Sequence, residues 1–262
     1  MYAPVLSLIT VCFNAKEELQ LTLENVLSQT WSRFEYLVID GGSTDCSVSI
    51  LEHYKSLFAE KGIAFRYISE PDHGIYDAMN KGTRMASGDW LLFLNAGDLL
   101  YEPDILKKVF SDSHSADILY GDTICVYQGH QKEYPALPLD HLTYEMAFCH
   151  QSAFISRELL LEHPYDISFR VCADHNFFLH AYLQKKTFEY LPFPISIYEI
   201  AGFSDKNKLL SHQEKQRMQK QSGIFHYSPA WIVREIIFYF KYVIKSVFGQ
   251  NLINFVRKNR LR

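Results

Sequence analysis

"SEPDHGIYDAMNKGTRMASGDWLLFLNAGD" (residues 69–98) carries the decisive pattern. Acidic side chains follow a strand end at Glu70 and Asp72, a helix from about Ile75 to Ala86 ends at Gly88, and "WLLFL" (90–94) is an uninterrupted apolar run of strand length. Continuous apolar strands belong to sheets covered on both faces. This one breaks into Asn95, Ala96, Gly97 and Asp98, so a strand suited to a dry core ends in a carboxylate.

Upstream, the same alternation repeats. "VLSLITVCF" (5–13) and "FEYLVID" (34–40) are strand runs, and between them Glu17 to Gln29 sets Leu19, Leu23, Val26 and Leu27 on one helical face. "GGSTD" (41–45) gives a glycine turn and a Ser43/Thr44/Asp45 cap for a helix with the stripe Val48, Leu51, Tyr54 and Leu57 or Phe58. "FRYIS" (65–69) is the third strand. Strands alternating with helices predict an α/β fold with a largely parallel sheet, and such sheets bind ligands beyond the carboxyl ends of their strands. Asn14, Asp40, Glu70 to Asp72 and Asp98 all lie just past strand ends, so a single rim gathers them.

After Pro103 the pieces shorten: "DILYGD" and "ICVYQ" read as strands, "SRELLLEH" and "ADHNFFLHAYLQKK" as helices, before "ISIYEIAGFS". This half is expected to complete the sheet and build the second wall of a cleft. Residues 206–262 form a separate helical extension. From Trp231 to Phe248 the basic residues Arg234, Lys241 and Lys245 share a narrow helical sector, with Ile232, Ile236, Phe240, Val243 and Val247 opposite. Charges recur too often for a spanning helix. The apolar face then suits a membrane surface, with packing on the protein's own domain or on a second copy in a homodimer as the alternative.

Charge is informative once divided. The chain carries −4 overall, but from Ala230 onward seven basic residues face one acid, a balance of +6, so residues 1–229 hold −10. An acidic body with a basic tail is the wrong distribution for tracking nucleic-acid phosphates. The five cysteines, Cys12, Cys46, Cys125, Cys149 and Cys172, are scattered and never form a Cys-x-x-Cys pair, which argues against a disulfide framework or zinc site. "MYAPVLSLITVCFN" lacks the basic start of a secretory signal, so a cytoplasmic location is expected. "CFNAKE" stands after the first strand where a nicotinamide-binding sheet would carry Gly-x-Gly-x-x-Gly.

The carboxylates Asp40, Asp72, Asp77, Asp98 and Asp174 would repel phosphate unless a divalent cation sat between, and oxygen ligands with open positions suit Mg²⁺ or Mn²⁺. On this reading Asp98 is the metal ligand. The competing role for Asp98 is to cap a helix entered near Pro103.

Four blocks make the pattern specific: "SLITVCFNAKEELQLTLENVLSQTW" (7–31), "YLVIDGGSTDCS" (36–47), residues 69–98, and "DISFRVCADHNFFL" (166–179). In order and spacing they resemble inverting family 2 glycosyltransferases of the GT-A fold, and the third is similar to bacterial exopolysaccharide and colanic-acid-type transferases. The resemblance spans about residues 4–205. It implies a GT-A domain over 1–205, with 1–102 as the nucleotide-sugar half and 103–205 as the acceptor half. It further implies a UDP-sugar donor, Mg²⁺ or Mn²⁺, and a glycan or polyprenyl-linked glycan acceptor in cell-surface polysaccharide biosynthesis, at the cytoplasmic face of the inner membrane.

Residue by residue, Phe13 and Asn14 would border the base, Asp40 would accept a hydrogen bond from uracil, and Asp72, Asp77 and Asn95 would line the donor pocket. Asp98 matches the metal-binding end of the D-x-D signature, and Asp174 the catalytic base. Lys81 would meet phosphate, or else sit on a solvated helix face. His150 and Gln151 in "CHQSAF" would touch diphosphate or acceptor, a structural histidine being the alternative; Gly202 and Ser204 in "IAGFS" match a late loop over the donor. Tyr76 is either a sugar-stacking or a core aromatic. The chain departs from the family where "NAGD" replaces a frequent "DxDD": Asn95 and Gly97 remove two carboxylates. A sugar-nucleotide-binding protein without turnover is the alternative which that loss raises.

Overall fold

The computed structural model describes residues 4–127, 129–199, 207–226, 232–233 and 235–244. The chain divides into two compact units, Met1–Asn207 and Lys208–Arg262.

In the first unit the early elements follow the sequence pattern closely. They are β1 (Leu6–Cys12), α1 (Lys16–Leu27), β2 (Phe34–Asp40), α2 (Ser47–Glu60), β3 (Ala64–Ser69), α3 (Ile75–Met85) and β4 (Trp90–Phe93). All seven residues of β1 and all seven of β2 are buried, as strands covered by helices on both faces must be. Glu35 lies among them, and it is tolerated because its carboxylate accepts from Ser7, Ser87 and the Arg66 guanidinium, which pairs with it at 2.7 Å. Two glycines set the closeness of α3 and β4 to β1. A Cβ on Gly82 would stand 2.6 Å from Ile9 Cγ2, and one on Gly88 2.6 Å from the backbone of Leu6 and Ser7.

Register puts the strand ends level. Cys12 pairs with Asp40, Asp40 with Ser69, and Ile9 with Phe93, all in parallel. The loops that follow these strands therefore emerge on one rim of the sheet.

The remaining elements are β5 (Leu99–Leu100), α4 (Ile105–Val109), β6 (Ile118–Tyr127), β7 (His130–Tyr134), β8 (Ala153–Ser156), α5 (Arg157–Glu162), α6 (Ala173–Leu183) and β9 (Phe188–Glu199). Sheet order is β3-β2-β1-β4-β8-β6-β9-β5, with β7 paired to β6. β6 and β9 run parallel; β8 enters antiparallel between β4 and β6, and β5 antiparallel beside β9. "DILYGD" and "ICVYQ", read as two strands, form the single strand β6. The break between them survives as a register shift against β9 at Gly121 to Thr123, where a Cβ on Gly121 would meet Ile195 Cγ1 at 2.6 Å.

In the second unit, α7 (Lys208–Gln221) packs on a helical stretch comprising residues 232–233 and 235–244. His212 and Gln216 both reach Glu235 Oε2, at 2.9 and 2.7 Å, and the His212 ring stacks on Phe238. Ile236 and Phe240 are 64% and 65% exposed. Among the described residues no helix is long and apolar enough to cross a membrane. Gly202, Ser204, Arg234, Lys245 and Val247 lie outside the described residues.

Candidate active site

The loops after β1 and β2 are tied together at the rim. Asn14 takes a left-handed φ of 48°, which asparagine tolerates, and its Oδ1 accepts from the Thr44 N–H at 2.9 Å while its own N–H donates to Ser43 Oγ at 2.7 Å. Asp40 organises this junction. Its carboxylate accepts from the N–H groups of Gly42 (3.2 Å) and Ser43 (2.9 Å), from both Ser43 and Ser69 hydroxyls, and from the Cys12 thiol at 3.5 Å. Burial works to raise its pKa, but these donors bring it below the ordinary value. The expectation that Asp40 accepts directly from a base needs correction here, because the residue is 0% exposed and its oxygens are already engaged. Ser43 and Thr44 serve this junction rather than a cap on α2; of that trio only Asp45 binds the helix start, through the Ser47 N–H at 3.1 Å.

The loop into α3 forms one side of a cleft of about 290 Å³, whose lining includes Phe13, Asp72, Gly74, Tyr76, Asp77 and Arg170. Phe13 is 63% exposed and presents its ring there. Gly74 occupies φ 116°, a conformation that favours glycine, just before α3. Asp72 accepts from the Gly74 N–H at 2.8 Å and Asp77 from the His73 N–H at 3.0 Å, so both carboxylates shape the loop as well as line the cleft. Lys81 differs from expectation: its ammonium pairs with Glu70 at 2.9 Å and donates to the Pro71 carbonyl at 2.8 Å. It pins the 70–77 loop and is not among the cleft-lining residues.

Beyond β4 the chain turns through Asn95–Asp98, closed by the Asp98 N–H donating to the Asn95 carbonyl at 2.9 Å. Gly97 holds φ 97° within this turn, so the "NAGD" form has a backbone reason for glycine. Asp98 does not cap the next helix, whose preceding residue is Asp104. Its Oδ2 instead accepts from the Asn95 N–H at 3.0 Å and from Gln151 Nε2 at 3.2 Å. Burial pushes the Asp98 carboxyl up to about 6, against the opposing pull of His150 and those hydrogen bonds.

His150 stands between this turn and Asp174. Its Nε2 is 3.3 Å from Asn95 Nδ2 and its Nδ1 is 3.2 Å from Asp174 Oδ2. The other Asp174 oxygen accepts from the Tyr76 hydroxyl at 2.9 Å and the His175 N–H at 2.8 Å. Burial would raise the Asp174 pKa, but the His150 hydrogen bond and charge bring it below the ordinary carboxylate value. Burial would likewise lower that of His150, and Asp174 raises it. Tyr76, weighed as a stacking or core aromatic, connects the two regions by lining the cleft and binding Asp174. Arg170 was not singled out in the sequence; its only signal is a cation four residues before Asp174.

The β4 turn fits a divalent cation. Asp98 supplies a carboxylate, and Asn95 Oδ1 is a buried amide oxygen with no hydrogen-bond partner. Both are hard donors of the kind Mg²⁺ and Mn²⁺ prefer. Among the described residues no group of three or more histidine, cysteine, aspartate or glutamate side chains could hold a metal by itself. Asp98 and Asn95 Oδ1 would hold such a cation while leaving most of its coordination positions open.

Against known proteins, the family described as Glycosyl transferase family 2 matches residues 7–181. The chain belongs to that family. This family 2 glycosyltransferase is 38% identical over 181 residues to a PGL/p-HBAD biosynthesis glycosyltransferase of Mycobacterium bovis (strain BCG / Pasteur 1173P2), spanning 68% of this chain and 69% of that one. Solved structures of similar fold include S. aureus TarS 1-349 in complex with UDP-GlcNAc (TM-score 0.63, 17% identity, 82% of this chain and 70% of that chain). Another is the mannosyltransferase PcManGT from Pyrobaculum calidifontis in complex with GDP-Man and Mn²⁺ (TM-score 0.64, 16% identity, 87% and 67%). The glycosyltransferase therefore has the GT-A-like fold expected of it: a mixed sheet with flanking helices. A binder without turnover is set aside in favour of an enzyme.

Proposed function

We propose that this glycosyltransferase moves a sugar from a UDP-sugar to a glycan hydroxyl with inversion at the anomeric carbon, using Mg²⁺ or Mn²⁺. The observation that carries the reading is the continuous network from Asp98 through Asn95 and His150 to Asp174, beside the cleft lined by Phe13 and Asp72. Uracil lies against the exposed Phe13 ring, with Asn14 and the Asp40-held loop shaping that wall. Asp98 and Asn95 Oδ1 would hold the cation. When bound, the cation supplies positive charge to the departing diphosphate. Asp174 removes the acceptor hydroxyl proton as that oxygen bonds to the anomeric carbon, and the bond from that carbon to UDP breaks on the opposite face. Asp72 and Asp77 face the cleft, where charge builds on the sugar ring. TarS, in complex with UDP-GlcNAc, and PcManGT, with GDP-Man and Mn²⁺, support a nucleotide-sugar donor and a divalent ion.

The acceptor is a glycan carried on a polyprenyl lipid, in cell-surface polysaccharide biosynthesis at the cytoplasmic face of the inner membrane. Support comes from the exposed Ile236 and Phe240 and the +6 balance beyond Ala230, since interfacial helices combine apolar burial with about 1 kcal/mol of attraction per basic residue near an anionic surface. A homodimer through that face is the competing use.

The test is a thermal-shift panel of UDP-, GDP- and CDP-sugars with and without Mn²⁺, paired with Asp174→Asn. A UDP-sugar should stabilise the protein only with metal, and Asp174→Asn should keep that binding while losing about 10²–10⁴-fold in kcat. Stabilisation by GDP-sugars alone would overturn the donor assignment, and a fully active Asp174→Asn the base.

A further inference from the structure

We propose that His150 is a positioning residue for Asp174, linking the base to the donor-binding turn after β4 rather than touching substrate. This rests on the reading of Asp174 as the base. His150 begins the short 3-10 turn His150–Ser152 that feeds β8, so strand pairing between β8 and β4 sets its place. The next residue, Gln151, holds Asp98 at 3.2 Å. Two consecutive residues thus grip the two carboxylates assigned to metal and base.

Both ring nitrogens are spoken for. Nε2 lies 3.3 Å from Asn95 Nδ2, and Nδ1 faces Asp174 Oδ2 at 3.2 Å. Neither nitrogen is left for a diphosphate or an acceptor hydroxyl. Asp174 in turn has its Oδ1 held by Tyr76 and His175, leaving Oδ2 as the oxygen whose direction His150 sets. The carboxylate plane is fixed from both sides, and the imidazole connects it to the amide beside the donor site. Removing the ring frees Asp174 to rotate away from the productive direction, a loss felt in turnover and not in donor affinity.

Asparagine and glutamine separate this role from the alternatives, because the Asn side-chain nitrogen falls near the position of His Nδ1 and the Gln nitrogen near that of Nε2. The experiment uses the full chain with Mn²⁺ and measures UDP affinity by calorimetry, together with UDP release from UDP-glucose, UDP-galactose and UDP-N-acetylglucosamine. His150→Ala should lower kcat about 10–100-fold, the range for losing a group that orients a functional ligand, while UDP affinity stays within about threefold. His150→Asn should recover most of that loss, and His150→Gln little of it. Equal loss of UDP affinity and turnover would overturn the proposal in favour of direct substrate contact, and failure of His150→Asn to outperform His150→Gln would overturn it too. Asp174→Asn in the same assay separates the two levels. If that variant is inactive while His150→Ala turns over normally, only the positioning role falls; if Asp174→Asn keeps wild-type turnover, the base assignment falls and takes this inference with it.

Discussion

Asp98→Asn should make the metal-free protein more stable at neutral pH. Asp98 is buried, and burial lifts its carboxyl from an ordinary 3.8 to about 6 in the folded state. At about 1.4 kcal/mol per pKa unit, the ionised side chain costs the folded protein about 3 kcal/mol. Asparagine keeps the shape: with its oxygen where Asp98 Oδ2 stands, it accepts from both the Asn95 N–H and Gln151 Nε2. The gain follows pH with a fixed sign. Below 3.8 the wild-type carboxyl is protonated in both states and the proteins are equally stable; the gap opens as pH rises through the interval and is complete above about 6. At pH 7.5, thermal melts in EDTA should place the variant about 6–12 °C higher, using about 2–4 °C per kcal/mol for a domain of this size. Adding Mn²⁺ and UDP at about one thousand times Kd should reverse the order, because the ligand then contributes about 4.1 kcal/mol to the protein that binds it. A variant no more stable than wild type at pH 7.5 would refute the argument that this turn stores the strain of a charge awaiting a cation.

Gly88→Ala should cost about 1–3 kcal/mol, read as a lower melting temperature, because its Cβ would lie 2.6 Å from the backbone of Leu6 and Ser7, which cannot swing aside. For the second unit, vesicles with anionic lipid should sediment the full chain but not the double variant Ile236→Asp, Phe240→Asp. A concentration-dependent dimer lost in that variant, with no vesicle binding in either protein, would assign the face to a second copy instead.

The first hundred residues were legible because each element announces itself locally. β1, β2 and β4 are apolar runs set by burial on both faces, and Gly88 marks the turn between α3 and β4. The later half was not legible in the same way. β5 is two residues long, β7 is fully exposed, and β8 is four residues whose partners β4 and β6 lie far away in sequence. At the site, Asp98 and Asp174 were visible as carboxylates at strand and helix ends. What Asp40 and Lys81 do was hidden, since their partners Ser69, Glu70 and Pro71 are chosen by the folded loops and not by spacing. The His150–Asp174 pair likewise spans twenty-four positions with no periodic signal.

The most direct test is a crystal soaked with Mn²⁺ and UDP and measured for anomalous scattering. A manganese peak bonded to the Asp98 carboxylate and to the diphosphate, with uracil against Phe13, is the expected result. Nucleotide bound with no metal at the β4 turn, or bound away from that rim, would contradict it.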